Sequence, residues 1–313
     1  MYKSQILLYT LFFNSTPHIT FFIQKLLKLN FIPSNYRYNN IMDIIEILRK
    51  LTLVGSENRV KFIENLLSEN NIQFSLLEYG NGKNIEITIL GKNREKEVVF
   101  FAHHDISAHT KEGANDNSSS VAILLKIILD KIREPYFTIR IVFTDKEEII
   151  GALLNKYISF ENIKNIIHNI GSFNYLKNNC DRSKVIAVFN IEMSGIGDVI
   201  FFSKRSGNVI CDEKLISDLE SIALKENIKT SLINLSNTDI ISSYILGIKG
   251  IVIGIIPLDD AIKIKSFKEH QPTIWKNNHT IYDLFSLIKE ESLLKVLNFI
   301  KLIIRNLKEF NLL

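Results

Sequence analysis

The stretch 98–117 constrains the fold more than any other part of the chain. It begins with an apolar run typical of a buried strand, Val98–Ala102, which leads directly into His103 and Asp105. After a short loop, Asp116 precedes a run of small residues and the apolar pattern of a helix. A strand that ends in ligand-type residues, followed by an acidic residue at a helix start, is how α/β proteins place ligands at the carboxyl edge of a sheet.

From Met42 onward, strand and helix patterns alternate along the chain. The predicted strands are 73–79, 83–91, 98–102, 136–145, 184–191, 229–235 and 250–256. The predicted helices are 42–51, a second one capped by Ser56, one after Asn117, and 212–226, 239–246 and 285–309; a loop is expected at 257–284. This alternation predicts an α/β fold with a mixed, mainly parallel sheet flanked by helices on both faces. We expect a single domain over 42–313.

Length, net charge and cysteine content limit the classes of protein to which this chain can belong. The 313 residues suffice for one large α/β domain or two small ones. The 38 basic and 34 acidic residues give a net charge of only +4, which argues against a dedicated nucleic-acid surface. Two isolated cysteines provide no disulfide framework and leave the redox compartment open.

Residues 1–41 precede the regular pattern and are expected to be an N-terminal extension or a packed helix. Ser4–Gln24 carries no charged residue, which raises a signal peptide or membrane anchor as alternatives. Against these, Asn14–His18 leaves the apolar run short of the roughly 20 residues of a membrane helix, and no small-x-small cleavage site follows. Membrane association is therefore disfavoured for residues 1–24, and a cytoplasmic location is slightly favoured over secretion.

Several ligand-type side chains follow apolar strands. They are His103, Asp105, Asp116, Glu147, Glu148 and Glu192, with His279 in a late loop. Each alone has an ordinary explanation, since an Asp at a helix start is usually an N-cap and a Glu pair is usually solvated. Carboxylates at a sheet edge nevertheless cost desolvation free energy unless a cation compensates them. Together they indicate a metal site.

A site for two zinc ions accounts for all of these residues. Two zinc ions about 3.5–4 Å apart need a bridging carboxylate and two terminal ligands each. Asp116 can bridge, with His103 and Glu192 completing one position; Glu148 and His279 would complete the other. Glu147, which is adjacent to a ligand, remains available as a general base. Asp105 fits as the carboxylate that orients the His103 ring.

Five short motifs occur in order along the chain: HHD, GANDN, DKEEIIG, NIEMSG and NHTIYD. Over about residues 42 to 310, they resemble the motif series of the zinc exopeptidase family that includes bacterial leucyl aminopeptidases and glutaminyl cyclases. That family has His-x-Asp, Gly-x-x-Asp-Asn, Glu-Glu before Gly, Asn-x-Asp-Met-x-Gly and a late His-Thr. One motif alone would be weak, whereas five in order are specific.

The resemblance implies a phosphorylase/hydrolase-like fold, a peptide substrate and two Zn²⁺ ions, with Co²⁺ or Mn²⁺ as alternatives. Carried over position by position, it implies the metal ligands His103, Asp116, Glu148, Glu192 and His279, and a base at Glu147. It also suggests a cis peptide bond after Asp116. The oligomeric state is left open.

The chain departs from the family pattern at three places. Glu192 stands where the family usually has Asp, whereas related carboxypeptidases and deacylases often have Glu there. Gly171-Ser172 resembles a pair that usually follows the Glu-Glu motif closely, as though a segment had been inserted after Gly151. The segment 236–239 (SNTD) resembles a degraded form of the family's Ser-Asp-His.

Four functions compete at this point. The complete ligand set favours a metal-dependent aminopeptidase over a one-zinc glutaminyl cyclase. Glu192 mildly supports a dipeptidase or deacylase, but those enzymes carry an inserted lid domain, and the interval between Glu192 and His279 is already filled by predicted strands and helices. A non-catalytic binding module would be expected to have lost ligands, and none is missing.

Overall fold

The computed structural model describes residues 42–148, 167–206, 209–235, 238–266 and 271–310. Residues 1–41, Gly151, His270 and the first half of the segment 236–239 lie outside the described residues. The same holds for the interpretation of His18 and His270 as structural or surface residues, which rests on the sequence alone. In the described ranges, no helix has the length and apolarity needed to cross a membrane.

The described strands form one nine-stranded mixed sheet with the order β1-β2-β4-β3-β5-β9-β6-β7, and β8 pairs with β6. The strands are β1 Ser75–Tyr79, β2 Gly82–Ile89, β3 Asn93–His103, β4 Phe137–Thr144, β5 Val185–Ile191, β6 Val199–Ser206, β7 Val209–Ile210, β8 Thr230–Leu235 and β9 Gly250–Ile256. The central strands β4, β3, β5 and β9 are parallel, whereas β1 and β2 on one side and β6 on the other join antiparallel. The predicted fold class is confirmed.

Helices cover both faces of the sheet. They are α1 Ile44–Leu53, α2 Ser56–Glu69, α3 Ser119–Leu129, α4 Gly171–Asn178, α5 Glu213–Lys225, α6 Ile240–Ile245, α7 Leu258–Ser266 and α8 Glu290–Asn306. Alternate residues of β3 point to opposite faces. Phe100 belongs to the core cluster that includes residues of α1, α2, α3, α5 and α8, whereas Phe101 belongs to the cluster that includes residues of α4, α6 and α7. Because both faces are buried there, β5 and the part of β3 from Val98 to Ala102 are almost continuously apolar.

Three local predictions need correction. The strand β6 was missed because a short apolar run such as Val199–Phe202 has no periodicity that separates it from a buried helix segment. The helix α7 occupies the start of the predicted loop 257–284, and Pro257 before it is a helix-start signal. Gly55, not Ser56, is the N-cap of α2, and no side chain caps that helix.

The interval between Glu192 and His279 supplies strands β6–β9 to the main sheet and helices α5–α7 beside it. In the parts of this interval that the structure describes, no separate lid domain is inserted, as predicted.

Candidate metal centre

Three neighbouring parallel strands end at the same edge of the sheet, and each delivers site residues there. β3 ends at His103, which is in register with Thr144 at the end of β4. Glu147 and Glu148 follow β4 after two residues, and Glu192 directly follows β5. The apolar strands are fixed by the core on both faces, so the first polar residues beyond them are held rigidly at this edge.

Asp116 lies at the centre of the site and faces two histidines. Its Oδ1 is 3.3 Å from His103 Nε2, and its Oδ2 is 3.2 Å from His279 Nε2. Asp116 belongs to the turn Ala114–Ser118 between β3 and α3, and the peptide bond from Asp116 to Asn117 is cis, as predicted. The two oxygens of one carboxylate thus point to two separate imidazoles.

His103 is buried and contacts carboxylates at both ring nitrogens. Its Nε2 is 3.5 Å from Glu192 Oε2 and 3.9 Å from Glu147 Oε2. Its Nδ1 lies 3.2 Å from the backbone oxygen and 3.4 Å from Oδ1 of Asp105. Asp105 therefore orients the ring, and its carboxylate also accepts hydrogen bonds from the backbone N–H groups of Glu147 (3.3 Å) and Glu148 (3.0 Å).

Glu148 and His279 form the second half of the site. His279 Nε2 lies 3.1 Å from Glu148 Oε2. Glu148 is almost completely buried, whereas the His279 side chain is 58% exposed and has a left-handed backbone (φ 58°). His279 therefore reaches the site from a surface loop, while the other predicted ligands lie at strand ends or in the turn before α3.

Glu192 departs from the family's Asp, and its longer side chain is held at both oxygens. Oε1 accepts a hydrogen bond from the Asn190 side chain at 3.0 Å, and Oε2 faces His103. Asn190 thus fixes the extra methylene of Glu192 in one direction and directs its second oxygen into the site.

The pKa values of the site residues are shifted because several carboxylates are buried around two imidazoles. Burial raises the pKa of Glu147 well above its ordinary range and raises that of Glu148 to about 8, with Asp116 adding to the latter. Burial opposes the charge on His103, but the negative charge of Glu192 and the hydrogen bonds that the ring donates to Asp105 and Asp116 outweigh it, so that the pKa of His103 rises well above the usual value. The hydrogen bond to Asp116 raises the pKa of His279 to about 9.

The donor set suits divalent cations. One group of atoms within 4.8 Å of one another comes from His103, Asp116 and Glu192, and a second comes from Asp116, Glu148 and His279. A third combination, His103 with Glu147 and Glu148, meets the same distance limit. Imidazole nitrogens and carboxylate oxygens together are ligands that zinc accepts in tetrahedral sites with an open position. These acidic and histidine groups could hold metal.

Two asparagines of the turn Ala114–Ser118 connect it to the end of β5. The Asn117 side chain donates to the Ile191 oxygen (2.8 Å) and accepts from the Met193 N–H (3.3 Å). The Asn115 side-chain oxygen accepts from the Gly195 N–H at 2.9 Å. Sequence reasoning assigned no role to Asn115, although both asparagines belong to the GANDN motif.

Two further buried acids were missed. Asp239 accepts hydrogen bonds from the hydroxyls of Thr144 and Ser172, and burial raises its pKa. Asp239 stands at the end of the segment 236–239, and the resemblance of that segment to Ser-Asp-His is the feature of the sequence that could have indicated its role. Asp283 accepts from the N–H groups of Asn115 (2.8 Å) and Asp116 (3.0 Å). Its signal was its place within NHTIYD, four positions after His279.

The remaining described histidines and Trp275 have contacts outside the cluster. The Nε2 of His104 is 2.9 Å from the Lys83 oxygen, and His168 stacks edge-on against Phe173. His109 is exposed. Trp275 packs edge-on against Phe201, with ring centroids 5.8 Å apart. From the sequence alone, these histidines are interpreted as structural or surface residues and Trp275 as loop packing or a pocket wall, and the contacts agree with that interpretation.

The fold and the site together define an α/β protein of the metal-dependent peptidase type. The sequence model of peptidase family M28 matches residues 84–303, and the chain therefore belongs to peptidase family M28. A search of curated protein sequences finds no significant match.

Solved structures with the same fold include both aminopeptidases and glutaminyl cyclases. LapB from Legionella pneumophila aligns with a TM-score of 0.61 and 16% identity over 84% of this chain and 70% of that protein. A glutaminyl cyclase from an Acidobacteriales bacterium aligns with a TM-score of 0.62 and 16% identity over 86% of this chain and 95% of that one.

The zinc aminopeptidase BSAP from Bacillus subtilis aligns with a TM-score of 0.52 and 19% identity over 70% of this chain and 48% of that chain. The present chain thus spans about half the length of that aminopeptidase and nearly the whole length of the cyclase. At these identities the likeness shows the fold, and the activity has to be argued from the site.

Proposed function

We propose that the protein is a two-metal aminopeptidase that releases N-terminal residues from peptides. The observation that carries this proposal is the position of Asp116, whose two oxygens face His103 and His279 separately. Each histidine has a glutamate of its own, Glu192 or Glu148. This pattern supports two cations that share one bridging carboxylate.

Charge balance supports two ions in preference to one. Asp116, Glu148 and Glu192 as ligands and Glu147 beside them carry four negative charges when ionised, which two divalent cations neutralise. One cation would leave two negative charges buried at the sheet edge, at a substantial cost in solvation free energy. Burial first, and neighbouring carboxylates second, raise the pKa values of Glu147 and Glu148.

In this proposal, His103, Asp116 and Glu192 hold one metal, and Asp116, Glu148 and His279 hold the other. When bound, the metals supply an activated water and polarise the carbonyl of the first peptide bond. Glu147 accepts a proton from the attacking water and delivers it to the leaving amine, so the bond breaks into a free amino acid and a shortened peptide. Its raised pKa suits both transfers.

Asp105 contributes by position and not by proton transfer. It contacts His103 Nδ1 and simultaneously accepts from the backbone of Glu147 and Glu148. One carboxylate thus orients a proposed ligand of each metal and the proposed base. Such outer partners are typically worth about 10–100-fold in metal affinity or activity.

Glutaminyl cyclase is the second candidate, because the cyclases match this chain over nearly their whole length. The assay that separates the two uses metal-loaded protein with a leucyl anilide and a peptide that begins with glutamine. An aminopeptidase releases the aniline and shortens the peptide. A cyclase releases ammonia and leaves the peptide length unchanged, and a faster cyclisation would overturn the proposal.

A dipeptidase or deacylase is less well supported. Glu192 agrees with that group, but within the described parts of the interval 192–279 the strands join the main sheet and form no lid. A screen of dipeptides and N-acyl amino acids beside the aminoacyl anilides tests this alternative directly.

A further inference from the structure

The loop before α3 and the loop that carries His279 are joined by hydrogen bonds in both directions. We call this set the loop clasp; it consists of the carboxylates of Glu112 and Asp283 and the backbone N–H groups that they bind. The Asp283 carboxylate accepts from the N–H groups of Asn115 and Asp116 at 2.8 and 3.0 Å. In return, the Glu112 carboxylate accepts from the N–H of Phe285 at 2.6 Å. Each loop therefore supplies a carboxylate to the backbone of the other.

Asp283 is the buried half of the loop clasp, Glu112 is half-buried, and Arg59 anchors the Glu112 side. Asp283 is 2% exposed. The fully buried Arg59 of α2 donates to the backbone oxygens of Glu112 (2.6 Å) and His104 (3.1 Å), at the two ends of the loop that separates His103 from Asp116. Arg59 precedes the residues matched by the family model, so this anchor is a feature of the described chain outside that match.

The proposed metal ligands differ in how firmly the rest of the fold holds them when the loop clasp is not counted. His103 and Glu192 lie at the ends of buried strands, and Glu148 is buried beside Asp105. His279 lies in a surface loop and its side chain is more than half exposed. The neighbouring Asn278 side chain donates to Met193 Sδ at 3.0 Å. Asp283, four residues later in that loop, binds the backbone N–H of Asp116 itself. The bonds of Asp283 therefore fix the distance between His279 and the carboxylate that both metals would share.

We propose that Asp283, supported by Glu112, is a positioning residue that determines occupancy of the metal position formed by Asp116, Glu148 and His279. This inference rests on the proposed two-metal function. Loss of the loop clasp lets the His279 loop move away from Asp116. The position formed by His103, Asp116 and Glu192 keeps two of its ligands, His103 and Glu192, on the strand ends and is affected less.

The test is a zinc titration of chelator-dialysed protein against a competing chelator. In Asp283→Asn, an amide NH₂ replaces one acceptor and faces a backbone N–H, so one of the two hydrogen bonds is lost. We expect one of two binding events to weaken by about 10–100-fold, as for other outer partners of ligands, and the other to change little. Glu112→Gln keeps an acceptor oxygen and should weaken the same event by a smaller factor.

Two further variants show whether the effect is specific. In Asp260→Asn, a buried carboxylate that accepts from Thr273 in the segment leading to His279 is changed without touching the loop clasp. This control should keep both binding events. His279→Ala should lose the event that Asp283→Asn weakens, and combining the two changes should cause no additional loss.

Equal weakening of both events in Asp283→Asn, or an equal effect of Asp260→Asn, would overturn the inference, because general loosening would then explain the result. If Asp283→Asn does not fold, Glu112→Gln decides by the same two criteria. A wild-type protein that binds a single zinc ion would overturn the proposed two-metal function itself. Two binding events of normal affinity in Asp283→Asn would instead overturn only the role of Asp283.

Discussion

Two groups of buried carboxylates lie on the same sheet, and they are neutralised in different ways. In the first, which we call the Arg140 cluster, Arg140 on β4 lies between Glu86 on β2 and Glu97 on β3. Glu97 receives two hydrogen bonds from the guanidinium, at 2.5 and 2.8 Å. The second group is the candidate metal centre, where the acids surround His103 and His279.

The pKa shifts show what separates the two groups. The hydrogen bonds that Arg140 donates to Glu97 raise the pKa of Arg140 further, so the Arg140 cluster contains a permanent internal cation. At the candidate metal centre, burial raises the pKa values of Glu147, Glu148 and Glu192, so these acids lack a sufficient cation of their own. A buried carboxylate therefore indicates function only where the fold does not also supply its counter-charge.

The largest expected effect concerns Glu147 and Glu148, which have different proposed roles at the same strand end. Glu147→Gln should lower turnover by at least about 10²–10⁴-fold and keep both metals, because Gln cannot accept the proton of the attacking water. Glu148→Gln should instead weaken one metal, since a neutral amide is a poorer ligand for a divalent cation. Turnover and metal content of each purified variant are the measurements.

Each of the two variants, Glu147→Gln and Glu148→Gln, is the matched control for the other. Loss of a metal in Glu147→Gln with both kept in Glu148→Gln would reverse the two roles. Near-normal turnover in Glu147→Gln would contradict the hydrolytic mechanism, whatever the metal content.

Removal of the internal cation should affect stability without affecting the metal centre. Arg140→Met leaves Glu86 and Glu97 buried without their partner. We expect a loss of about 3 kcal/mol in the free energy of unfolding, the low end for a broken buried ion pair, because Arg140 remains 22% exposed. Urea unfolding measures the loss, and an unchanged zinc content would separate the two clusters. A lost metal with unchanged stability would contradict the comparison.

The pH dependence of stability should appear only in the metal-free protein. The folded-state pKa values of Glu148 (about 8) and His279 (about 9) are both raised, so the folded state binds more protons than the unfolded state. The stability they contribute is therefore complete at low pH and falls as pH rises through about 5 to 9. Bound metals replace these protons and should remove the trend.

Melting temperatures at about pH 6 and about pH 8.5, with and without a chelator, test this prediction. The difference between metal-loaded and metal-free protein should grow with pH, although the exposure of His279 reduces its share through solvent screening. A difference that shrinks as pH rises would contradict the assignment.

The smallest expected effect distinguishes the two acids of the Arg140 cluster. Glu97 holds the guanidinium with both oxygens, whereas Glu86 contacts only Nη1. Glu97→Gln should therefore cost about 2 kcal/mol and Glu86→Gln about 1 kcal/mol, within the range for hydrogen bonds to charged groups. Urea unfolding of both variants compares them, and the reverse order would show that the bidentate contact is not the stronger one.

Much of the site could be predicted because its residues follow strong local patterns. The second half of β3, Val98–Ala102, is apolar on both faces and stops at His103, so the sequence indicates where the edge of the sheet lies. The proposed ligands after β4 and β5 follow the same rule, and the cis bond at Asp116 was expected from the resemblance. The structure brings these residues together.

The rest depends on tertiary contacts that have no local signal. Arg59 is an ordinary polar position of an amphipathic helix until its burial against His104 and Glu112 is seen. The pairing of Asp283 with the backbone of Asp116 spans most of the chain. The strand β6 joins antiparallel to β9, and its short apolar run carries no information about direction.

The most direct test of the account is anomalous diffraction at the zinc edge from crystals of the zinc-loaded protein. We predict two peaks about 3.5–4 Å apart on either side of the Asp116 carboxylate. One should lie about 2 Å from ligand atoms of His103 and Glu192, and the other about 2 Å from those of Glu148 and His279. A single peak, or two peaks that do not share Asp116, would contradict the two-metal site.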